Sequence, residues 1–170
     1  MKKTIVLSFI AAFFTLSVSA QQDKSKRPSP PAVTKETTAS GLTIMIDYSQ
    51  PSLKGRAIGT ELAPYGKVWR AGANEATIFE ISKNAKVEGK ALPAGKYALH
   101  AIPGEKEWVF IFNKKWQKPG TEYNEAENAL QVSVRPEKSS AATEKMTFTI
   151  SKAGKVTLLW GNLAVPFNVK

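Results

Sequence analysis

A chain of 170 residues with no cysteine and a formal charge of +10 excludes both a disulfide framework and the lipidated cysteine of a bacterial lipoprotein. Stability must then come from packing, and the length suits one domain with its own core. The positive charge favours anionic surfaces or ligands, although all but Arg27, Arg56, Arg70 and Arg135 of the 24 basic residues are lysine, the usual make-up of a solvated face.

Met1-Lys2-Lys3 is a short positive region, followed by the apolar run from Ile5 to Phe14 and then Val18-Ser19-Ala20 ahead of Gln21. Small residues closing a short apolar core read as a secretory signal peptide over residues 1–20, cut after Ala20. A membrane span needs about 17–25 apolar residues, and this run reaches the polar Thr15-Leu16-Ser17 first. The expectation is an exported protein, periplasmic or extracellular, with no transmembrane anchor after cleavage. Export, and the lack of any stretch alternating basic with aromatic residues, set nucleic acid aside as a partner.

Residues 21–40 are polar and carry Arg27-Pro28-Ser29-Pro30-Pro31, too little apolar surface to fold alone. They are expected to form a tether or a strand-like arm laid on the domain. From residue 41 to residue 170 a period of two takes over. It runs through Leu42-Ile44-Ile46-Tyr48, Thr77-Phe79-Ile81, Tyr97-Leu99-Ala101, Trp108-Phe110-Phe112, Leu130-Val132-Val134, Met146-Phe148-Ile150, Val156-Leu158-Trp160 and Val165-Phe167-Val169. Residues 60–62 and 122–128 have room for a helical turn each, neither long enough for a parallel crossover. About eight short strands separated by turn chemistry predict an all-β fold, an antiparallel β-sandwich, jelly-roll-like or immunoglobulin-like, with a compact barrel as the other option. Residues 89–99 read as strand, turn, strand, and Ala153-Gly154 as a tight hairpin.

Residues 48–75 break the ladder with glycine, proline, aromatic residues, Arg56 and Arg70. Loops of this kind on a rigid scaffold carry binding residues, and an arginine offers a planar fork that lysine lacks. The candidate ligand-binding residues are Tyr48, Arg56, Trp69, Arg70, Asn74 and Glu75. The competing reading is that Arg56 and Arg70 clamp loop carbonyls or pair with Asp47, Glu61 or Glu75.

Arg-Pro-Ser-Pro-Pro at 27–31, Tyr-Ser-x-Pro-Ser-x-Lys-Gly-Arg at 48–56 and Pro-Tyr-Gly-Lys-Val-Trp-Arg-x-Gly-Ala-Asn-Glu-Ala-Thr at 64–77 resemble a family of exported bacterial proteins, domain of unknown function 2911. Gly89-x-x-Leu-Pro-Ala-Gly-Lys-Tyr97 and Trp108 with Phe112-Asn113-Lys114 extend the resemblance over nearly the whole chain after residue 20. It implies one exported domain and carries no catalytic residues with it.

The sole histidine, His100, lies within a strand, so neither a zinc site, which wants several ligands, nor a Ser-His-Asp set with Asp47 or Asp23 is expected. No Gly-x-Ser-x-Gly pattern is present. No metal and no cofactor is expected. Among the acids Asp47, Glu61, Glu75 and Glu80, Glu75 is the best placed for acid–base work, beside Asn74 at a loop end. Trp108 and Trp160 keep strand register and belong to the core, whereas Trp69 and Trp116 are the candidate surface platforms.

Three functions remain. The first is a non-enzymatic binding module whose 48–75 region takes an anionic or polar small ligand, a glycan or an envelope protein. The second is a small hydrolase or isomerase using Glu75 as acid–base, with Arg56 or Arg70 stabilising negative charge and Asn74 orienting substrate. The third is a ligand-free structural protein of the envelope.

Overall fold

An alternating strand buries its apolar side only if a second layer covers it, and this chain builds two layers. The computed structural model describes residues 23–117 and 119–170; the expected signal peptide lies outside the described residues. Among the latter, the strands are β1 (Pro31–Thr37), β2 (Thr43–Ser49), β3 (Thr77–Ile81), β4 (Ala85–Val87), β5 (Lys90–Leu92), β6 (Gly95–Ile102), β7 (Trp108–Asn113), β8 (Asn128–Val134), β9 (Glu137–Ile150) and β10 (Lys155–Asn168). The first layer is an antiparallel six-stranded sheet in the order β1-β2-β3-β6-β7-β8. Opposite it lies the long β9–β10 ribbon, with the β4–β5 hairpin tied to its end by hydrogen bonds between Lys86 and Lys170 and from Glu88 to Asn168. The six-stranded sheet keeps β1 and β8 as open edges, so the protein is all-β and sandwich-like and does not close into a barrel.

Aromatic rings join the layers. Phe167 of β10 lies 4.8 Å from Phe110, 5.9 Å from Phe112 and 6.1 Å from Phe79, centroid to centroid. Phe148 of β9 meets Tyr48 of β2 edge-on at 5.0 Å. Trp108 and Trp160 are buried, as their register requires.

Two details differ from the sequence reading. The segments 156–160 and 165–169 are one strand, not two: their buried positions are even-numbered in the first and odd-numbered in the second. A register shift on either side of Gly161, itself at φ +58°, absorbs that change of phase. Residues 89–99 are not a hairpin, because β5 pairs with β4 while β6 pairs with β3 and β7. The tight turn sits earlier, at Glu88-Gly89, where two consecutive positive φ angles of 47° and 78° match the twist of a two-residue hairpin. Residues 31–37, within the segment expected as a tether or a strand-like arm, form β1, paired along its length with β2.

The segment between β7 and β8 folds back over the outer face of the large sheet. Beneath it, Ala98, His100 and Ile111 are buried although their side chains point away from the sandwich interior. Its Tyr123 ring lies 5.2 Å from His100, and Gly120 comes so close that a Cβ there would sit 2.8 Å from the Ala76 nitrogen.

Candidate functional site

The residues leading into β3 are fixed at both ends. Trp69 exchanges backbone hydrogen bonds with Ala101 of β6 at 2.8 and 2.7 Å, and its ring stacks on Trp160 at 5.7 Å. At the far end, the Thr77 hydroxyl donates to the Ala71 carbonyl, six residues earlier, at 3.0 Å in the buried interior. Between these anchors the chain must turn sharply. Ala71 and Asn74 take left-handed φ angles of 46° and 57°, and a Cβ on Gly72 would meet the Thr77 hydroxyl at 2.5 Å. The loop therefore holds Arg70, Asn74 and Glu75 outward on a rigid base.

A cleft of about 700 Å³ opens where this loop meets residues 23–28 and the turn at 119–121. Lys26, Arg27 and Arg70 supply positive charge to it, Asp23 and Glu75 negative charge. The two acids are already engaged. Asp23 accepts from the Ser25 amide and hydroxyl at 3.0 and 2.7 Å. Glu75 accepts from one Arg27 nitrogen at 2.8 and 3.0 Å and lies 3.2 Å from the Lys24 ammonium. The Arg27 hydrogen bond foremost, aided by backbone and by Lys24, lowers the Glu75 carboxyl from 4.5 to about 2. Arg70 differs. One of its nitrogens donates to the Asn74 carbonyl at 2.6 Å, and among the described residues its guanidinium, half-buried, has no carboxylate partner.

The six expected site residues are thus divided. Arg70, Asn74 and Glu75 share the cleft. Arg56 does not join them: its guanidinium donates to the carbonyls of Leu53 at 3.1 Å and Ser52 at 2.9 Å, closing its own turn. Tyr48 is buried, with its hydroxyl accepting the Phe148 amide at 3.0 Å. Trp69, expected as a surface platform, is instead packed between Trp160 and Trp108, because its strand-like bridge to Ala101 turns the ring inward. Lys26, Arg27 and the 119–121 turn were not legible as site residues, since their place depends on contacts made across the fold. Tyr48 did carry a signal: it shares the buried parity of Leu42, Ile44 and Ile46.

The geometry weighs against Glu75 as an acid–base group. A carboxyl held near 2 stays ionised at neutral pH and is a weak proton acceptor. Among the described residues, no three histidine, cysteine or acidic side chains cluster as metal ligands, and no helix is long and apolar enough to cross a membrane.

His100 lies on the same outer face, 3 % exposed, with neither ring nitrogen hydrogen-bonded to a described residue. Burial pushes its pKa below the ordinary 6.5; the Ala98 backbone pulls the other way, and the charge of Arg70 adds to the effect of burial. Between that depressed value and the unfolded value near 6.5, the unfolded chain binds the extra proton, so stability falls as the pH drops below about 6.5. Glu75 adds a smaller loss between pH 4.5 and about 2, damped because its side chain is 53 % exposed. Urea midpoints at pH 7.5 and 5.5 measure the first effect. His100→Gln is expected to narrow the difference between them; an unchanged difference would contradict the assignment to His100.

What fold and cleft define is an all-β sandwich whose rigid loop presents Arg70 with no carboxylate partner among the described residues. The model of the family described as protein of unknown function (DUF2911) matches residues 29–169, and the chain belongs to that family. No curated protein and no solved structure matches it significantly.

Proposed function

We propose that this protein is an exported, non-enzymatic binding module whose cleft at Arg70 takes a small anionic ligand. The observation that carries this reading is the charge balance of the cleft. Asp23 and Glu75 are satisfied from within residues 23–28, while the Arg70 fork, half-buried on a pinned loop, faces the cleft with no counter-ion among the described residues. A guanidinium so held is suited to a carboxylate, sulfate or phosphate, and the rigidity of its loop lowers the entropy cost of binding. Export is supported by the residues 1–20 pattern. The ionised, doubly paired Glu75 gives the hydrolase or isomerase reading no support.

A thermal-shift screen of the chain from Gln21 onward, against organic acids, sulfates and phosphates with sodium chloride as the ionic-strength control, tests this. A ligand selective for the folded state stabilises it by about 2.7 kcal/mol at a hundred times its Kd. Arg70→Gln is expected to remove that response and to cost about 1 kcal/mol through the lost hydrogen bond to Asn74. Arg56→Gln should likewise lower the melting temperature, by opening the 52–56 turn, but leave the ligand response intact. A response that survives in Arg70→Gln, or no saturable response to any anion, would refute the proposal.

A further inference from the structure

A second cleft, of about 280 Å³, adjoins the first, and Glu75 lines both. Its character is different. The β2–β3 outer face contributes Asp47 and Ile78, and the segment after β7 contributes Trp116 and Gln117. Trp116 is half-buried, and the Lys96 ammonium, itself 3.6 Å from Glu80, sits 5.3 Å from its ring centroid, which fixes the indole in place. Asp47 is exposed and has no ion-pair partner among the described residues. An aromatic ring, a free carboxylate and a primary amide around one small concavity form the set that a sugar ring requires. The indole takes its CH face, and Asp47 and Gln117 take its hydroxyls as acceptor and as donor or acceptor.

We propose that the two clefts are subsites of one groove for an acidic saccharide, with the anionic group at Arg70 and a neighbouring sugar ring against Trp116. This rests on the reading of the Arg70 cleft as an anion site. The common wall at Glu75 lets one short ligand reach both, and neither subsite alone would distinguish an acidic sugar from a simple acid or from a neutral sugar. Selectivity arises from occupying both, because the second contact is made without a second loss of overall motion.

Calorimetric titration of the chain from Gln21 onward with three probes tests the proposal: trigalacturonate, its fully methyl-esterified and therefore neutral form, and acetate. Trigalacturonate is expected to bind at least about tenfold more tightly than either of the others. Trp116→Ala and Asp47→Ala should each weaken trigalacturonate by about tenfold and leave the acetate affinity unchanged. Should Trp116→Ala fail to fold, the exposed Asp47 variant decides by itself. Equal affinity for trigalacturonate and acetate, or undiminished trigalacturonate binding in the folded variants, overturns the groove while leaving the anion site standing. Binding of the neutral ester as tight as that of trigalacturonate overturns the acidic specificity. Absence of binding by both anions overturns the groove and the anion site together.

Discussion

Phe167→Ala is expected to remove about 3–5 kcal/mol of stability, the range for truncating a buried aromatic side chain that its surroundings cannot collapse around. The ring is fully buried and touches the rings of Phe79, Phe110 and Phe112, which belong to two strands of the opposite layer, β3 and β7. Two rigid sheets cannot close over the space it leaves without moving as units, so the cavity persists. Against a total of about 5–15 kcal/mol for a domain, the loss is about a fifth or more of what holds the fold. Urea denaturation measures it, with Val33→Ala as control: Val33 is 61 % exposed on the edge strand β1, and its truncation should stay within about 0.5 kcal/mol. A Phe167→Ala loss below about 1 kcal/mol would show that the layers are not joined through this residue.

Gly154→Ala is expected to cost about 2–5 kcal/mol, for two separable reasons. At φ +80° the residue is in the left-handed region, which costs a side chain about 1–2 kcal/mol. In addition, a Cβ there would overlap the Val169 carbonyl oxygen, a backbone atom that cannot step aside because the Val169 amide is bonded to the Gly154 carbonyl at 2.9 Å. Gly66→Ala isolates the first cause, since Gly66 has φ +71° and nothing within 4 Å of its Cβ position. The melting temperature should therefore fall further in Gly154→Ala than in Gly66→Ala; equal losses would mean that the Val169 contact yields freely.

The strands legible in the sequence are those that bury one face against the other layer along a single phase. Leu42-Ile44-Ile46-Tyr48 and Trp108-Phe110-Phe112 announce β2 and β7 because each alternate residue meets the same core. β4 escapes notice since three residues do not establish a period, while β5, the first strand of the 89–99 reading, is legible but pairs with β4 and not with β6. The bounds of β1 inside the expected arm are unmarked for another reason: its inward Thr34 is polar and is satisfied by donating to the Phe148 carbonyl at 2.9 Å, so no apolar alternation picks them out.

The candidate site was half legible on the same terms. Arg70, Asn74 and Glu75 are near neighbours in the chain, and their chemistry could be read together. The partner that sets the state of Glu75 is Arg27, 48 residues away, and only the fold brings it to 2.8 Å. Trp69 looked like a surface platform because it stands beside Arg70, yet its orientation depends on a bridge to Ala101 in β6.

Whether an anion occupies the cleft at Arg70 is tested most directly by amide chemical-shift mapping by NMR. Titration of the isotope-labelled chain from Gln21 onward with a tight anionic hit, at constant ionic strength, should give saturable shifts at the amides of Arg70, Asn74, Gly120 and Thr121. All four residues line the cleft. The same titration of Arg70→Gln should leave those amides still. Shifts that do not saturate and that follow exposed lysines over the whole surface would instead mean diffuse attraction to a basic protein, and would contradict a site built around Arg70.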